Sequence, residues 1–535
     1  MTEIKITTTI FLLLLLILFY FKENQKDFNQ DGLVVNLKIN NSIYVLVLLF
    51  FTIVSQNTHL HYETIDWDTN SYLVSSLDVI NGFLPYENSW ESKQPLLYYV
   101  YASLILLSNF NLVIFKLLND LILFLISFII FKITLLKGGS SKNSFLASIF
   151  YLFLMSSTWA QVEKSELYCV LILSLILLIQ NKSYKRKYSV IFTGFFLGLS
   201  VLINLGSILF VLPITLNYLI DDFNLKRYLN TIFKFTVGFL SPILFFLILY
   251  FKNNLLDIFI TTNIRIPFAY TQESFDFLRE FSEFFKSMYL FNPFIYFLII
   301  FISIFSFYKI TITLFRSNNK LSDQGIKTLI YLATSLGVYY IAGHGYYHHL
   351  YYLIFFLPFL IFEYLDTFDL RIFTTLILFS TLFAGYVHFP LAINNLKNAG
   401  NIYENYPLYN VSKELNQILV QNDKILATDG VLTLFYLQTS NYSYIVHPSN
   451  HKEQFITQEL IEIDYLLRDE LLYLISKDPK VILCSNNVHF NCEIYDWKSN
   501  YRELDIKEYV QYKPYQLYNP GSEKGEQLRV FIRND

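Results

Sequence analysis

Apolar residues are concentrated in the first three quarters of this chain. Between residues 7 and 390, long apolar runs alternate with short polar segments, whereas residues 391–535 have the mixed pattern of a soluble domain. A helix that crosses a bilayer needs about 20 mostly apolar residues, with a range of about 17–25. The pattern therefore predicts about twelve transmembrane helices. In chain order the runs are 7–21, 42–55, 112–135, 144–159, 165–180, 188–203, 207–220, 229–251, 290–308, 328–343, 350–365 and 372–389.

A further apolar segment, 95–108, decides on which side of the membrane each later loop lies. It is short, begins with a proline, and could cross, re-enter or lie in the interface. If it does not cross, one set of loops holds 16 Lys and Arg residues and the opposite set holds 7. Basic loops stay in the cytoplasm. We therefore expect an interfacial segment, with the long loops 56–94 and 252–289 and the tail facing outside.

The tail, residues 391–535, alternates helix-like and strand-like segments, which is typical of a small α/β domain. The helix-like segments are 411–420 and 461–476, and the strand-like ones are 423–429, 478–484, 509–514 and 528–532. No glycine-rich phosphate-binding motif occurs there, so nothing indicates a nucleotide. The predicted fold class is an α-helical polytopic membrane protein, residues 1–390, with a small C-terminal α/β soluble domain. The apolar residues 10–21 could form a signal peptide, but we interpret them as a retained anchor, because the segment before them carries little positive charge and no small-residue cleavage site follows them.

Composition narrows the possible functions. Of 535 residues, 54% are hydrophobic and only 16% are charged, against about a quarter in soluble proteins, which argues against an ordinary cytosolic enzyme. The net charge of −3 argues against nucleic-acid binding. Three cysteines are too few for a disulfide scaffold. Cys484 and Cys492 could pair if the tail is outside, although two unpaired thiols are the default expectation.

The first outer loop, 56–94, holds the most informative polar residues. Asp66 and Asp68 lie two residues apart, shortly after a transmembrane run and before a helical pattern at 72–80. Carboxylates at the mouth of a helix bundle need a reason, because removing a charge from water is unfavourable. One reason is structural, since Asp68 could cap the helix that follows.

The order of residues in this loop resembles the first outer loop of the polytopic GT-C glycosyltransferases. The closest branch contains the lipid A aminoarabinose transferase and relatives of the protein O-mannosyltransferases. The matching residues are Asp68, Tyr72, Gly82, Pro85, Tyr86, Lys93, Pro95, Leu96 and Tyr98. Two positions depart from the family pattern: Thr69 replaces a usual acidic residue, and Gln94 a usual proline.

The resemblance continues along nearly the whole chain. Lys116 stands where the family carries a basic residue near the start of the next helix. Residues 162–166 resemble its short acidic second outer loop, and residues 343–349 its late turn rich in His and Tyr. The helix number and the outer α/β tail also fit the family.

The resemblance implies a membrane enzyme that moves a sugar from a polyprenyl-phosphate carrier to an acceptor hydroxyl on the outer face. Such transfer needs a base for the acceptor proton, and we assign Asp68, with Asp66 second. The anionic leaving group needs cations or hydrogen-bond donors. The candidates for that role are Lys93, His344, Tyr346, Tyr347, His348, His349 and Arg265. Tyr72, Glu163 and Glu166 are candidates for orienting the acceptor or the loop.

Each assignment has a simpler alternative. The tyrosines could belong to an interfacial aromatic belt, and the glutamates could be a solvated helix start. The three histidines could bind zinc, but the nearest acids are remote in sequence, so we expect no metal. Asp66 and Asp68 also resemble the DxD motif of nucleotide-sugar transferases, but that motif belongs to a nucleotide fold. We therefore expect no cofactor.

The competing class is a polytopic lipid-linked glycan flippase or polymerase, or a transporter. Such proteins usually carry ionisable or broken helices at the membrane midplane, in related halves. Here the acids cluster in the outer loops and no repeat is visible. The expected partners are a polyprenyl-phosphate sugar donor, membrane lipids and an acceptor that is lipid, protein or polysaccharide, without nucleic acid. The expected location is the cell membrane, with the tail extracytoplasmic.

Overall fold

The computed structural model describes most of the chain, with gaps. The described residues are 41–56, 60, 63, 67–155, 163–181, 186–219, 225–270, 278–279, 282, 300, 323–342, 347–364, 393–395, 397–420, 422–487, 490–491, 500–504 and 528–534. Three predicted apolar runs, 7–21, 290–308 and 372–389, lie outside these residues, as does the predicted strand 509–514.

The nine predicted apolar runs that fall in the described part of the chain all contain helices. Their bounds are Asn41–Gln56 (α1), Leu112–Leu136 (α4), Ser141–Met155 (α5), Ser165–Asn181 (α6), Arg186–Val201 (α7), Val211–Leu219 (α8), Leu225–Lys252 (α9), Asp323–Ile341 (α12) and Tyr351–Tyr364 (α13). Among the described residues, two helices are long and apolar enough to cross a membrane, Leu112–Leu136 and Tyr228–Lys252, and six shorter apolar helices accompany them. The number of twelve stays a prediction.

Two helices connect the first outer loop to the membrane region. Helix α2, Trp67–Ile80, ends at a turn in which Gly82 has a φ of 94°, a conformation that favours glycine. Helix α3, Pro95–Leu107, has Pro95 in its first turn, where the missing N–H breaks no hydrogen bond. Its 13 residues extend about 20 Å, less than the roughly 30 Å of a hydrocarbon core. The position of this helix in the interface stays a prediction.

The second long loop begins with three short helical pieces in succession. They are Leu256–Ile260 (α10), the π-turn Thr261–Arg265 and Ile266–Tyr270 (α11). They place Thr262 against the first loop, where the Trp90 indole N–H donates to its hydroxyl at 2.9 Å.

The tail contains a five-stranded mixed sheet, which confirms a small α/β unit. Its strands are Ile425–Ala427 (β1), Val481–Asn487 (β2), Phe490–Asn491 (β3), Tyr501–Glu503 (β4) and Leu528–Arg533 (β5). The order is β1-β2-β5-β4, with β3 paired to β2. Strand β2 pairs in parallel with β1 and antiparallel with β5.

The tail helices flank this sheet. They are Pro407–Ile418 (α14), Leu432–Leu437 (α15), Gln454–Glu462 (α16) and Glu470–Ile475 (α17). The prediction of one helix over 461–476 was wrong, because the chain breaks at Asp464, whose φ is 56°. The default of unpaired thiols was also wrong for Cys484, which is disulfide-bonded. Cys492 lies outside the described residues.

The tail packs directly onto the first outer loop. Trp90, which is fully buried, forms a parallel bridge with Ile445. The Tyr465 hydroxyl donates to the carbonyl of Tyr86 at 2.7 Å. One apolar core runs without interruption from the membrane helices into the tail sheet. The loop that carries the candidate base is therefore covered by the C-terminal domain.

Candidate active site

Asp68 lies where three segments that are distant in sequence meet. Helix α2 begins at Trp67, so Asp68 belongs to its first turn and is not the residue that caps it. One carboxylate oxygen, Oδ2, lies 2.7 Å from the Lys164 ammonium, and the other, Oδ1, lies 2.9 Å from Nε2 of His447. The side chain remains 28% exposed. Asp68 thus joins the first loop, the second loop and the tail while keeping access to solvent.

The surroundings keep Asp68 ionised. Burial alone would raise the pKa of its carboxyl, but the Lys164 ammonium, the hydrogen bond from His447 and the more distant Lys93 together hold that pKa well below its usual range. Its place in the first turn of a helix also favours the anion. Asp68 is therefore a carboxylate throughout the physiological pH range.

The neighbours of His447 fix which of its ring nitrogens faces Asp68. The backbone N–H of Ser449 donates to Nδ1 of His447 at 3.2 Å, so Nδ1 is the acceptor nitrogen. In a neutral imidazole the other nitrogen then carries the proton. Nε2 of His447 consequently donates to Asp68. The Trp67 indole packs edge-on against the same ring, at 6.3 Å between centroids.

A buried glutamate shapes the end of the first loop. Glu91 accepts hydrogen bonds from the Ser92 hydroxyl at 2.9 Å, the Tyr98 hydroxyl at 2.9 Å and the Lys93 backbone N–H at 3.2 Å. This turn places the Lys93 side chain near Asp68 and Glu166, whose charges it stabilises. Within the described residues, the Lys93 ammonium makes no hydrogen bond or ion pair. It is available to an anion.

Glu166 lies at the start of α6 and meets the late histidine turn. Its Oε1 lies 3.2 Å from Nδ1 of His349 and 3.9 Å from Nε2 of His348. The Asn204 amide donates to the same oxygen at 2.8 Å. The side chains of Glu166, His348 and His349 could hold a metal ion, since their ligand atoms lie within 4.8 Å of one another. The acids are remote from the histidines in sequence, but the fold brings Glu166 to them, and the absence of a metal stays a prediction.

Of the remaining predicted site residues, some lie near Asp68 and others lie away from it. Tyr72 is buried against Tyr101, at 5.5 Å between ring centroids, and burial together with the Asp68 charge raises the pKa of its hydroxyl. Glu163 is buried, and its backbone carbonyl accepts from the Tyr101 hydroxyl. Arg265 lies apart: its side chain is half exposed and 3.9 Å from Glu459. Asp66, His344, Tyr346 and the side chain of Tyr347 lie outside the described residues.

The structure is similar to a solved membrane protein. It matches ArnT from Cupriavidus metallidurans bound to undecaprenyl phosphate with a TM-score of 0.57 at 12% identity, over 83% of this chain and 92% of that chain. The chain has the fold of ArnT. The apo state of that protein matches with a TM-score of 0.47 at 12% identity, over 92% of this chain and 97% of that one. No family model and no curated protein match the sequence.

The ArnT fold confirms the resemblance inferred from the first loop, at the level of architecture. The contacts of Asp68 also show which site residues the sequence did not indicate. Lys164 lies in the short second loop that we noted for its acids, and a lone lysine among them was a usable signal. His447 gave no signal, because 379 residues separate it from Asp68 and only the docked tail joins them.

Proposed function

We propose that this protein is a membrane glycosyltransferase that moves a sugar from a polyprenyl-phosphate carrier to an acceptor hydroxyl on the outer face of the membrane. The observation that carries the proposal is an ionised carboxylate, Asp68, which Lys164 and His447 hold at 2.7 and 2.9 Å while part of its side chain stays exposed, with a second cation, Lys93, close enough to stabilise its charge. The fold is that of a protein whose structure holds undecaprenyl phosphate, which supports a lipid-phosphate ligand.

The chemistry follows from the positions of the two charges. The acceptor oxygen forms a bond to the anomeric carbon of the sugar, while the bond between that carbon and the phosphate oxygen breaks. Asp68 takes the acceptor proton as the new bond forms. The electron pair of the broken bond stays on the lipid phosphate, whose charge Lys93 stabilises. No other reactant is needed for the balance.

The other predicted residues take supporting roles in this proposal. His348 and His349 face the same region as Lys93 through Glu166, and we assign them to the donor phosphate together with His344, Tyr346 and Tyr347 of the same turn. Arg265, which lies apart beside Glu459, stays a candidate for the same role. Tyr72, which lies within reach of the Asp68 charge, would orient the acceptor together with Glu163 and Glu166 of the second loop, and Asp66 is a second candidate for the base.

The experiment compares transfer and binding in three purified variants in proteoliposomes. A panel of labelled polyprenyl-phosphate sugars is supplied with envelope fractions of the source cells as acceptor. Asp68→Asn should lower transfer at least about 100-fold, because it removes the base, and should still bind undecaprenyl phosphate. Lys93→Met should weaken that binding. The exposed Lys397 provides a matched control, Lys397→Met, which should change neither.

Two outcomes would contradict the proposal. One is transfer by Asp68→Asn at a rate near that of the wild type. The other is movement of the labelled lipid across the bilayer with no transfer of its sugar, which would indicate a flippase or transporter.

A further inference from the structure

We propose that His447 of the tail is a positioning residue for Asp68. It would hold the carboxylate in the orientation that accepts the proton of the acceptor hydroxyl. The inference rests on the proposed function, because it assigns a role in the same reaction. It gives the C-terminal domain a part in catalysis that neither the sequence pattern nor the fold comparison assigns.

The segment that carries His447 is fixed on both sides. The Trp90 N–H donates to the carbonyl of Tyr444, and the Val446 N–H donates back to the carbonyl of Trp90 at 3.2 Å. Trp90 itself is held by the hydrogen bond from its indole to Thr262. His447 follows this bridge by one residue, and Ser449 holds the far side of its ring. The imidazole therefore has little freedom to leave Asp68.

The hydrogen bond leaves room for a reacting hydroxyl. Each carboxylate oxygen has two lone pairs. His447 binds one lone pair of Oδ1, and Lys164 binds one lone pair of Oδ2. Each oxygen can therefore accept one more hydrogen bond. A base held at two points keeps its free lone pairs in a fixed direction, and small errors of placement slow such reactions strongly.

Several charged and titratable groups face this pair. Asp68 is met by Lys164 from the second loop, by Lys93 from the end of the first loop and by Tyr72 from its own helix. His447 is met by Asp429 and His451 from the tail. Removing the donor at His447 leaves Lys164 and Lys93 in place, so Asp68 would remain ionised at neutral pH but titrate at a higher pH than before.

A purely structural role makes a different prediction. If His447 only docks the tail, any comparable contact between the tail and the loop should have the same effect when lost. Tyr465 supplies such a contact, since its hydroxyl donates to the Tyr86 carbonyl and makes no described contact with Asp68. Tyr465→Phe is therefore the matched control for docking.

The experiment measures transfer as a function of pH in the full-length protein. His447→Leu should lower kcat about 10- to 100-fold, as expected for one hydrogen bond to a charged group, with the KM for the lipid donor unchanged. The acidic limb of the kcat profile should move to higher pH, because the hydrogen bond that lowers the pKa of Asp68 is lost. His447→Gln keeps an N–H near the position of Nε2 and should recover most of kcat and the original limb. Tyr465→Phe should leave the limb in place.

Infrared titration of the Asp68 carboxyl gives a readout that does not depend on transfer. Its band is identified by its loss in Asp68→Asn, and its midpoint should rise in His447→Leu and return in His447→Gln. If His447→Leu shifts neither the midpoint of the Asp68 titration nor the acidic limb of kcat, while Asp68→Asn is inactive, the role of His447 is overturned. The proposed function then still stands. If the midpoint moves but the wild type transfers no sugar, the contact is confirmed and the proposed function is wrong.

Discussion

Glu63 fastens the first outer loop to the tail through a single buried carboxylate. Its two oxygens accept the backbone N–H groups of Leu408 at 2.7 Å and Tyr409 at 2.6 Å, in the first turn of α14. These donors have no partner within the helix, so the glutamate completes the start of α14 from a segment about 345 residues earlier in the chain. One residue thus serves as the helix cap and as the joint between domains.

Glu63 predicts a pH dependence of docking. Burial raises the pKa of its carboxyl from 4.5 to about 7, against the lowering effect of the two N–H donors. The docked state therefore binds the proton more tightly than the open state, so docking is strongest below pH 4.5 and weakens as pH rises towards about 7. The weakening is at most about 3 kcal/mol.

Hydrogen exchange of α14 measures this effect. Protection of the peptide Pro407–Ile418, corrected for intrinsic exchange rates, should fall between about pH 5 and pH 7 in the wild type. Glu63→Gln does not titrate and should flatten the curve, whereas the exposed neighbour variant Glu404→Gln should keep it. A wild-type curve that rises over this range would show that the sign is wrong.

At the scale of single residues, the sequence indicated the acids and missed their partners. Asp68 was identifiable because a carboxylate beside an apolar run is rare. Its place in the first turn, with Lys164 and His447 on its two oxygens, could not be predicted, since ion pairs between distant segments depend on the docked fold. The same limit applied to Glu166 and the histidines of the late turn.

Helices α7 and α9 pack more closely than side chains normally allow. A Cβ on Gly198 would lie 2.3 Å from the Phe239 carbonyl oxygen, and one on Gly238 would lie 2.2 Å from that of Ile191. The obstacle in both places is backbone, which cannot rotate away. Small residues at such crossings let helices approach in a membrane, where packing rather than hydrophobicity drives association.

Gly198→Ala should therefore separate α7 from α9. We expect a loss of about 1–3 kcal/mol, as for other overpacked sites, and a lower thermal unfolding temperature in detergent. Gly337 in α12 offers a control, because a Cβ there meets only Leu209 at an ordinary 3.8 Å, and Gly337→Ala should be neutral or slightly stabilising. Equal unfolding temperatures for the two variants would contradict the close approach.

At the scale of elements, apolar runs predicted helices well because a long apolar segment in a membrane has almost no other way to satisfy its backbone. The tail was harder, since short segments there are decided by packing. Strand β4, Tyr501–Glu503, was not predicted, and it exists because β5 offers it an edge. The break at Asp464 was likewise not encoded by a proline or glycine.

The topology of the whole molecule is open to a direct test. The basic loops predict a tail outside the cytoplasm, and a disulfide at Cys484 fits an oxidising compartment. A phosphatase reporter that folds only outside the cytoplasm should be active when fused after Asp535. The same reporter fused after Lys137, in a basic loop, should be inactive. The reverse pattern would invert the assignment of every loop.

The contact between Asp68 and His447 has a consequence for how the protein is made. The two residues are 379 positions apart, so at about 5–20 residues per second the ribosome needs about 20–75 s to pass from one to the other. During that time the first loop is already at the membrane surface among its lipids, without the tail that covers it. A chain that is released early would contain Asp68 but not His447, which fixes the orientation of its carboxylate. The protein would therefore become able to transfer sugar only after the ribosome has synthesised the tail.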